Sequence, residues 1–256
     1  ISQAWSCAWV VLFLLEKKTT LKLRVKNMVL RSNIVLPALA LGLSNFIMQS
    51  SESIISICFN SSLQNYGGDI AVGAMTILTS VMQFAMLPLQ GLGQGAQPII
   101  SYNYGARNPD RVKAAFQLLL KASLVYSTLL WAFVMIFPQG FAAMFTNSPQ
   151  LMEFTKNALR IYMACLLLFG IQVACQMTFT SLGNAKASIL VAVMRKFILL
   201  IPLIYIMPAI FSSDKTTAVY MAEPAADFIA VTFTAVFFTF QFKKALRAIG
   251  GQDAKK

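Results

Sequence analysis

Six long apolar segments alternate with short polar links along the chain. The segments are residues 33–59, 70–100, 115–137, 157–182, 188–211 and 218–242, and a shorter apolar run occupies 1–15. A helix needs about 20 mostly apolar residues to cross a bilayer, and each of the six segments exceeds that length. The pattern predicts an all-α protein, a polytopic bundle of transmembrane helices.

Charged residues make up only 12% of the 256 residues, and hydrophobic residues make up 57%. A soluble domain carries about 25% charged residues, so this chain has too few to cover a surface that faces water. We therefore expect the lipid bilayer to cover most of the exterior, and we expect the chain to be a multi-pass protein of the cell membrane.

Basic residues are concentrated in alternate links. Of the 21 Lys and Arg residues, 18 lie in or beside residues 16–32, 101–114, 183–187 and 243–256. Because Lys and Arg accumulate in cytoplasmic loops, residues 16–32 and the C-terminus are predicted to be cytoplasmic. This count assigns Arg195 and Lys196 to the cytoplasmic end of their helix.

The formal net charge of +12 raises the question of a nucleic-acid partner. The basic residues lie beside apolar spans, where they can face anionic lipid headgroups, so no nucleic acid is expected. The sequence has no His, and its four cysteines form no CxxC pair. It therefore offers no cluster typical of a metal site or of catalysis, and we expect neither an enzyme nor a bound cofactor.

The chain begins at Ile1, inside an apolar run and without Met. Residues 1–15 are therefore expected to be the end of a preceding transmembrane helix, which makes the chain a fragment. We expect residues 16–32 to form a basic linker, 33–242 to form one six-helix lobe, and 243–256 to form a basic tail.

Proline and glycine predict local geometry within 70–100. Pro88 and Pro98 lack the N–H donor of a helix and are expected to break or end it. Gly91 and Gly95 have the spacing of close helix packing in membranes. That interpretation is favoured over a phosphate-binding loop, because no Lys-Ser or Lys-Thr pair follows the glycines.

Polar side chains recur at helical spacing within the apolar spans. In the first span, Asn45, Gln49 and Glu52 follow one another at intervals of four and three residues, which keeps them on one face. Such a stripe either lines a polar cavity or forms hydrogen bonds between helices. The candidates for binding substrate or ion are Asn45, Gln49, Glu52, Gln83, Gln172, Gln176, Glu223 and Asp227.

Three of these candidates, Glu52, Glu223 and Asp227, are carboxylic acids inside predicted spans. A charged group near the centre of a span costs about 3 kcal/mol on insertion scales, and an isolated buried carboxylate tends to take up a proton. Such an acid is suited to carry a proton or another cation. The alternative is a structural ion pair.

Three segments carry a resemblance to a known family. GLGQGAQPIISYNYGARNPDRVKAAF (91–116), FTSLGNAKASI (179–189) and YMAEPAADFI (220–229) resemble parts of the C-terminal lobe of the MATE (multidrug and toxic compound extrusion) transporters, which belong to the MOP flippase superfamily. The resemblance implies one six-helix lobe of a two-lobe secondary transporter. It also implies export of small, cationic, amphipathic compounds by Na⁺ or H⁺ antiport, with the missing N-terminal lobe as partner.

The chain departs from the family at two acidic positions. Sodium-coupled members carry a Glu on the first helix of this lobe, where the sequence has Asn45. They also carry an Asp on the fourth helix, whereas residues 157–182 contain neither Asp nor Glu. Glu52 is one candidate to substitute for them, and the coupling ion stays open between Na⁺ and H⁺.

Two other functions compete with drug export. A lipid-linked-oligosaccharide flippase of the same superfamily is expected to have a positively charged cavity, and the predicted spans place no Lys or Arg at their centres. A channel or a non-transporting structural membrane subunit is the other alternative. A channel is expected to show rings of charge or a filter-like repeat, and the sequence contains neither.

Overall fold

The computed structural model describes the backbone of residues 2–15, 32–212 and 214–250. It describes the side chains of these residues except at 2, 14–15, 33–34, 36–49 and 185. All regular secondary structure in this part of the chain is helical. The α-helices are α1 (Ser2–Leu15), α2 (Ser32–Gly105), α3 (Pro109–Ile136), α4 (Pro138–Ala143), α5 (Pro149–Tyr162), α6 (Phe169–Ser181), α7 (Ala185–Val193), α8 (Ile201–Ile210) and α9 (Lys215–Gly250).

The chain divides into two compact units, Ile1–Ile47 and Met48–Lys256. The first unit contains α1 and the first turns of α2, and the second contains the remainder of α2 and all later helices. The predicted linker lies outside the described residues except for its last residue, Ser32, as do residues 251–256 of the predicted tail.

Four helical stretches are long and apolar enough to cross a membrane, namely Ser50–Gly105, Pro109–Ile136, Lys186–Ile210 and Lys215–Gly250. A fifth crossing results if Pro149–Tyr162 and Leu166–Ser181, which meet at a bend of 43°, are counted as one broken span. Large apolar side chains such as Phe84, Leu118 and Phe240 are exposed on these helices. The described fold is thus that of a multi-pass membrane protein, as predicted.

Helix α2 contains two predicted spans, 33–59 and 70–100, and Gly68 separates them. Gly68 has φ 63° and ψ −159°, a conformation outside the helical region that glycine adopts at little cost. The break expected at Pro88 and Pro98 does not occur, because the backbone stays helical through both residues to Gly105. That expectation was wrong in the second unit, where α2 tolerates both prolines.

The close approach expected at Gly91 and Gly95 occurs at Gly93, two residues away from each. A Cβ atom added to Gly91 or Gly95 would meet no atom within 4 Å, whereas one added to Gly93 would lie 2.5 Å from Cγ of Met177. Gly93 therefore packs against α6. The glycine prediction was wrong in its choice of helix face.

The span formed by α5 and α6 is interrupted at residues 163–165, and its break packs against α3. Ser127 donates a hydrogen bond from Oγ to the carbonyl of Leu167 at 2.9 Å, which satisfies a backbone group freed by the break. One turn further along α6, a Cβ atom on Gly170 would lie 2.6 Å from the carbonyl oxygen of Ser123. Only glycine permits this approach of the two backbones.

Two tight turns connect helices in the same way. The backbone N–H groups of Asn108 and Asn184 donate to the carbonyl oxygens five residues earlier, at 2.9 Å in both turns. Each Asn side chain then accepts a hydrogen bond from the first turn of the next helix. The preceding residues, Arg107 and Gly183, have left-handed φ values of 57° and 71°. This is the geometry of a Schellman turn followed by an N-cap.

Candidate functional site

Two adjacent basic residues lie inside the span that α7 and α8 form. A π-helical segment, Met194–Leu200, joins these helices, and Arg195 and Lys196 are its second and third residues. The N–H of Ile201 donates to the carbonyl of Lys196, five residues earlier, which is the hydrogen bond of a π-helix. Such segments often occur at functional sites, because the extra residue redirects side chains.

The structure corrects the placement of these basic residues. The sequence assigns Arg195 and Lys196 to the cytoplasmic end of a helix, but they lie near the middle of the 25-residue span Lys186–Ile210. Their side chains are only 16% and 11% exposed. They are tolerated there because carboxylates on other helices pair with them. The expectation that no Lys or Arg lies at the centre of a span was therefore wrong.

Arg195 bridges two of the predicted candidates, Glu223 and Asp227. Its Nε donates to Oδ1 of Asp227 at 2.6 Å, and its Nη2 donates to Oε1 of Glu223 at 2.9 Å. The two carboxylates are four residues apart on α9, so they share one helix face. The side chains of Glu223 and Asp227 are 7% and 3% exposed. The spacing on α9 thus presents two acids to one guanidinium.

The Arg195–Glu223–Asp227 trio lies beside the broken span. The guanidinium carbon of Arg195 is 5.0 Å from the ring centroid of Phe169, the first residue of α6. Tyr162, the last residue of α5, is also buried, and its hydroxyl lies within the electrostatic field of the trio. Broken helices in transporters commonly border the substrate or ion site. The break and the charges therefore mark the same location.

Lys196 pairs with another candidate, Glu52, on a different helix. Its Nζ lies 2.5 Å from Oε1 of Glu52 on α2. The two partners differ in exposure, because the Glu52 side chain is 62% exposed whereas the Lys196 side chain is buried. The π-helical segment therefore connects to α9 through Arg195 and to α2 through Lys196.

The two ion-pair groups differ in formal charge. Lys196 and Glu52 balance each other, whereas Arg195 faces two carboxylates and leaves one negative charge in excess. Glu52 also interacts electrostatically with Arg195 and Glu223, so the groups belong to one electrostatic cluster. An uncompensated charge in the interior is costly. The trio is therefore suited to accept one further positive charge.

The neutral candidates occupy different environments. Gln172 is buried on α6, one turn beyond Phe169, and its Oε1 has no hydrogen-bond partner within the described part of the chain. Gln176 is partly buried on α6, and Gln83 is exposed on α2. Asn45 and Gln49 fall on helical backbone of α2, but their side chains lie outside the described residues.

No metal-binding cluster occurs among the described side chains, since no three His, Cys, Asp or Glu residues converge there. The described cysteines are all free thiols. The oxygens best suited to bind a cation are those of Glu223 and Asp227, and both carboxylates are paired with Arg195. Any ion that these carboxylates bind must share them with the guanidinium or replace it.

Comparison with known proteins agrees with this architecture. A family model described as MatE matches residues 43–206, which is more than half of the chain. The multidrug export protein MepA of Staphylococcus haemolyticus (strain JCSC1435) is 22% identical over 232 residues, which cover 90% of this chain and 51% of that protein. The chain thus spans about half the length of the curated relatives it matches.

Solved structures share the fold. The crystal structure of MATE in the bent conformation superposes with a TM-score of 0.86 at 18% identity and covers 97% of this chain and 55% of that chain. The crystal structure of MATE in complex with MaL6 gives a TM-score of 0.84 at 19% identity, with 95% and 55% covered. The chain therefore shares the fold of about half of each of these structures.

Proposed function

The chain belongs to the MatE family, and on this premise we propose that it forms the C-terminal lobe of a secondary-active transporter. The transporter exports cationic amphipathic compounds in exchange for Na⁺ or H⁺. Support for the substrate class comes from the similarity to MepA, a multidrug export protein. Support for the lobe comes from the length of the chain, which is about half that of its relatives.

The proposed partner is an N-terminal lobe of the same transporter. Secondary transporters built from repeats place their sites between the repeats and alternate access by rocking one repeat against the other. In this arrangement, residues 16–32 and the C-terminus are cytoplasmic, in keeping with the distribution of Lys and Arg. Polar residues that are exposed in the isolated chain, such as Gln83 and Glu52, then face the cavity shared with the other lobe.

The single observation that carries the antiport proposal is the charge of the buried trio. Arg195 supplies one positive charge to Glu223 and Asp227, and both acids are buried. A proton or a Na⁺ ion neutralises the excess negative charge, and release of that ion restores it. Because an uncompensated buried charge is costly, gain or loss of the ion changes the relative stability of the conformations that bury the trio to different degrees. That energetic link couples ion movement to export.

The organic cation is proposed to bind nearer the open side of the cluster. Glu52 presents a largely exposed carboxylate there, and Gln83, Gln172 and Gln176, together with Asn45 and Gln49, supply polar groups that orient the substrate. Apolar and aromatic side chains hold its hydrophobic part. No step requires a nucleophile or a bound cofactor, so the protein acts as a transporter and not as an enzyme.

Ethidium efflux tests the proposal. Cells lacking other pumps would produce this chain fused to an N-terminal lobe, and the chain without that lobe would serve for comparison. We expect efflux from the fused form, and we expect Glu223→Gln and Asp227→Asn to abolish it. Glu153→Gln is the matched control, because Glu153 is an exposed acid that pairs only with its neighbour Lys156 among the described residues. Unchanged efflux in both variants would remove the trio from the mechanism.

Proteoliposomes with an imposed gradient identify the ion. The fused protein is expected to accumulate ethidium when either a Na⁺ gradient or a proton gradient is imposed, but not when both are absent. The gradient that drives uptake is the coupling ion. A protein that is equally active without any gradient would not be a secondary transporter.

The alternatives give different results in the same membranes. A lipid-linked-oligosaccharide flippase would move a pyrophosphate-bearing lipid and would need a positively charged cavity. Arg195 and Lys196 are interior, but both pair with carboxylates, so they give this site no net positive charge. A non-transporting structural subunit would move neither ethidium nor lipid under any gradient.

A further inference from the structure

Arg195 and Lys196 are neighbours in sequence but hold their carboxylates in different ways. Arg195 donates from two nitrogens of its fork to two separate acids, and its planar group also lies over the ring of Phe169. All three partners are buried. A guanidinium held through two of its nitrogens and on one face has little freedom to leave its position.

The Lys196 ammonium has a different geometry. Its own side chain is buried, whereas the Glu52 side chain that it contacts is largely exposed. The ammonium contacts Oε1 of Glu52, and the exposure of the Glu52 side chain leaves room for a second cation. A second cation can thus approach Glu52 from the side opposite to Lys196. Glu52 thus pairs with one buried cation while most of its side chain stays exposed.

The physical chemistry of the two cations adds to this difference. A guanidinium can form two parallel hydrogen bonds with a carboxylate, whereas an ammonium acts as a point charge and cannot match that geometry. Ion pairs with an exposed partner contribute little free energy, typically below about 1 kcal/mol. Displacing Lys196 from Glu52 leaves one buried ammonium beside the incoming cation, whereas displacing Arg195 would strand two buried acids, so Lys196 is the easier of the two cations to displace.

We propose that Lys196 is a tethered counter-ion that occupies Glu52 until a cationic substrate displaces it, and that it thereby sets the affinity for that substrate. This inference rests on the proposed function, because it assumes that Glu52 receives the organic cation. After displacement, Lys196 remains positively charged behind the bound cation and repels it. Lys196 is thus a positioning and affinity-determining residue, and Arg195 is the fixed member of the pair.

Ethidium binding to the chain fused to an N-terminal lobe, as in the efflux test, and held in lipid nanodiscs tests the inference by fluorescence anisotropy. Lys196→Gln removes the competitor, and it is expected to tighten binding by about fivefold, the factor that corresponds to an ion pair of about 1 kcal/mol. Lys196→Arg keeps the charge and strengthens its hold on Glu52, so it is expected to weaken binding. Lys121→Gln, an exposed lysine on α3, is the matched control and is expected to bind like the wild type.

A double variant shows whether the effect passes through Glu52. The gain of Lys196→Gln is expected to disappear when Glu52→Gln is added, because no carboxylate then remains for the cation. If the double variant keeps the gain, or if Lys196→Arg binds as tightly as the wild type, the inference is overturned while ethidium binding itself still supports the proposed function. If none of the proteins binds ethidium, the proposed function of this lobe fails, and the inference fails with it.

The Lys196→Arg variant separates an effect on binding from a loss of folding. Because Lys196→Arg keeps a cation beside Glu52, it is expected to remain folded even if Lys196→Gln does not. The order of affinities between the Arg variant, the wild type and the Lys121→Gln control then still decides the question.

Discussion

Arg195 donates from Nε to Oδ1 of Asp227 at 2.6 Å, and this bond fixes the π-helical segment to α9 in the interior of the second unit. The same guanidinium reaches Glu223, so a single side chain compensates two buried carboxylates. A fork-shaped cation suits this task, because its separate N–H groups can satisfy two acceptors at once. The pairing also explains how a helix with apolar flanks keeps a charge near its centre.

Loss of the guanidinium is therefore expected to destabilise the protein strongly. Arg195→Met leaves two buried acids without their cation, and breaking a buried ion pair in this way costs about 3–5 kcal/mol. The free energy of unfolding in detergent micelles measures this loss. Lys156→Met is the control, because the pair with Glu153 is exposed and a pair of that kind contributes at most about 0.5 kcal/mol. Equal losses in both variants would contradict a structural role for the trio.

The sequence predicts the helical spans well but not the partners of the charges. Length and hydropathy decide whether a segment can cross a bilayer, and these are local properties. The spacing of four between Glu223 and Asp227 likewise places both acids on one helix face. Which helix that face meets depends on tertiary packing, so the link to Arg195 could not be derived. A signal was present nevertheless, since Arg195 and Lys196 interrupt an otherwise apolar run.

Packing details were unpredictable for a similar reason. The run Gly91–Gly95 contains glycines on two helix faces, and the sequence alone favours the pair four residues apart. The position of Met177 on α6 decides that Gly93 is the buried one. The break at residues 163–165 is also hidden, because those residues are Met, Ala and Cys, with neither glycine nor proline. In the structure, Ser127 of the neighbouring α3 stabilises the break by a hydrogen bond to the carbonyl of Leu167.

Gly170→Ala is expected to be destabilising because of the contact between α6 and α3. The added methyl group would lie 2.6–2.8 Å from backbone atoms of Ser123 and Leu124, which cannot rotate away. Overpacking of this kind costs about 1–3 kcal/mol. Gly95→Ala is the matched control, because its methyl group would meet no atom within 4 Å and alanine favours helix over glycine. The midpoint temperature of thermal unfolding should be lower for Gly170→Ala than for the wild type. For Gly95→Ala it should be unchanged or higher.

The two Schellman turns give a prediction with opposite signs. Arg107 and Gly183 have equivalent left-handed conformations, which cost an L-residue about 1–2 kcal/mol relative to glycine. Arg107→Gly is therefore expected to stabilise the protein by about 0.5–1 kcal/mol, after the entropy that glycine adds to the unfolded state. Gly183→Ala is expected to destabilise it, although its methyl group has space. If both variants changed the unfolding free energy in the same direction relative to the wild type, the two turns would not be equivalent.

Asp214 is expected to make stability depend on pH at the start of α9. Its carboxylate accepts hydrogen bonds from the hydroxyl of Thr217 at 2.6 Å and from the N–H of Thr217 at 3.0 Å. These bonds, the hydroxyl bond first, lower the pKa of Asp214 below its ordinary value of 3.8. A lowered pKa in the folded state means that the stabilisation is complete above the ordinary pKa and is lost as the pH falls through the folded-state pKa.

Two substitutions of Asp214 separate charge from capping. Asp214→Ala removes the N-cap and is expected to cost about 1 kcal/mol near neutral pH. Asp214→Asn keeps an acceptor that does not titrate, so its stability relative to the alanine variant should stay constant with pH. The advantage of the wild type over the alanine variant should instead shrink as the pH falls below about 4, where an aspartate takes up its proton. Unfolding free energies measured between pH 3 and pH 7 in detergent supply the comparison, and a wild-type advantage that grows towards low pH would contradict the role of Asp214 as a charged cap.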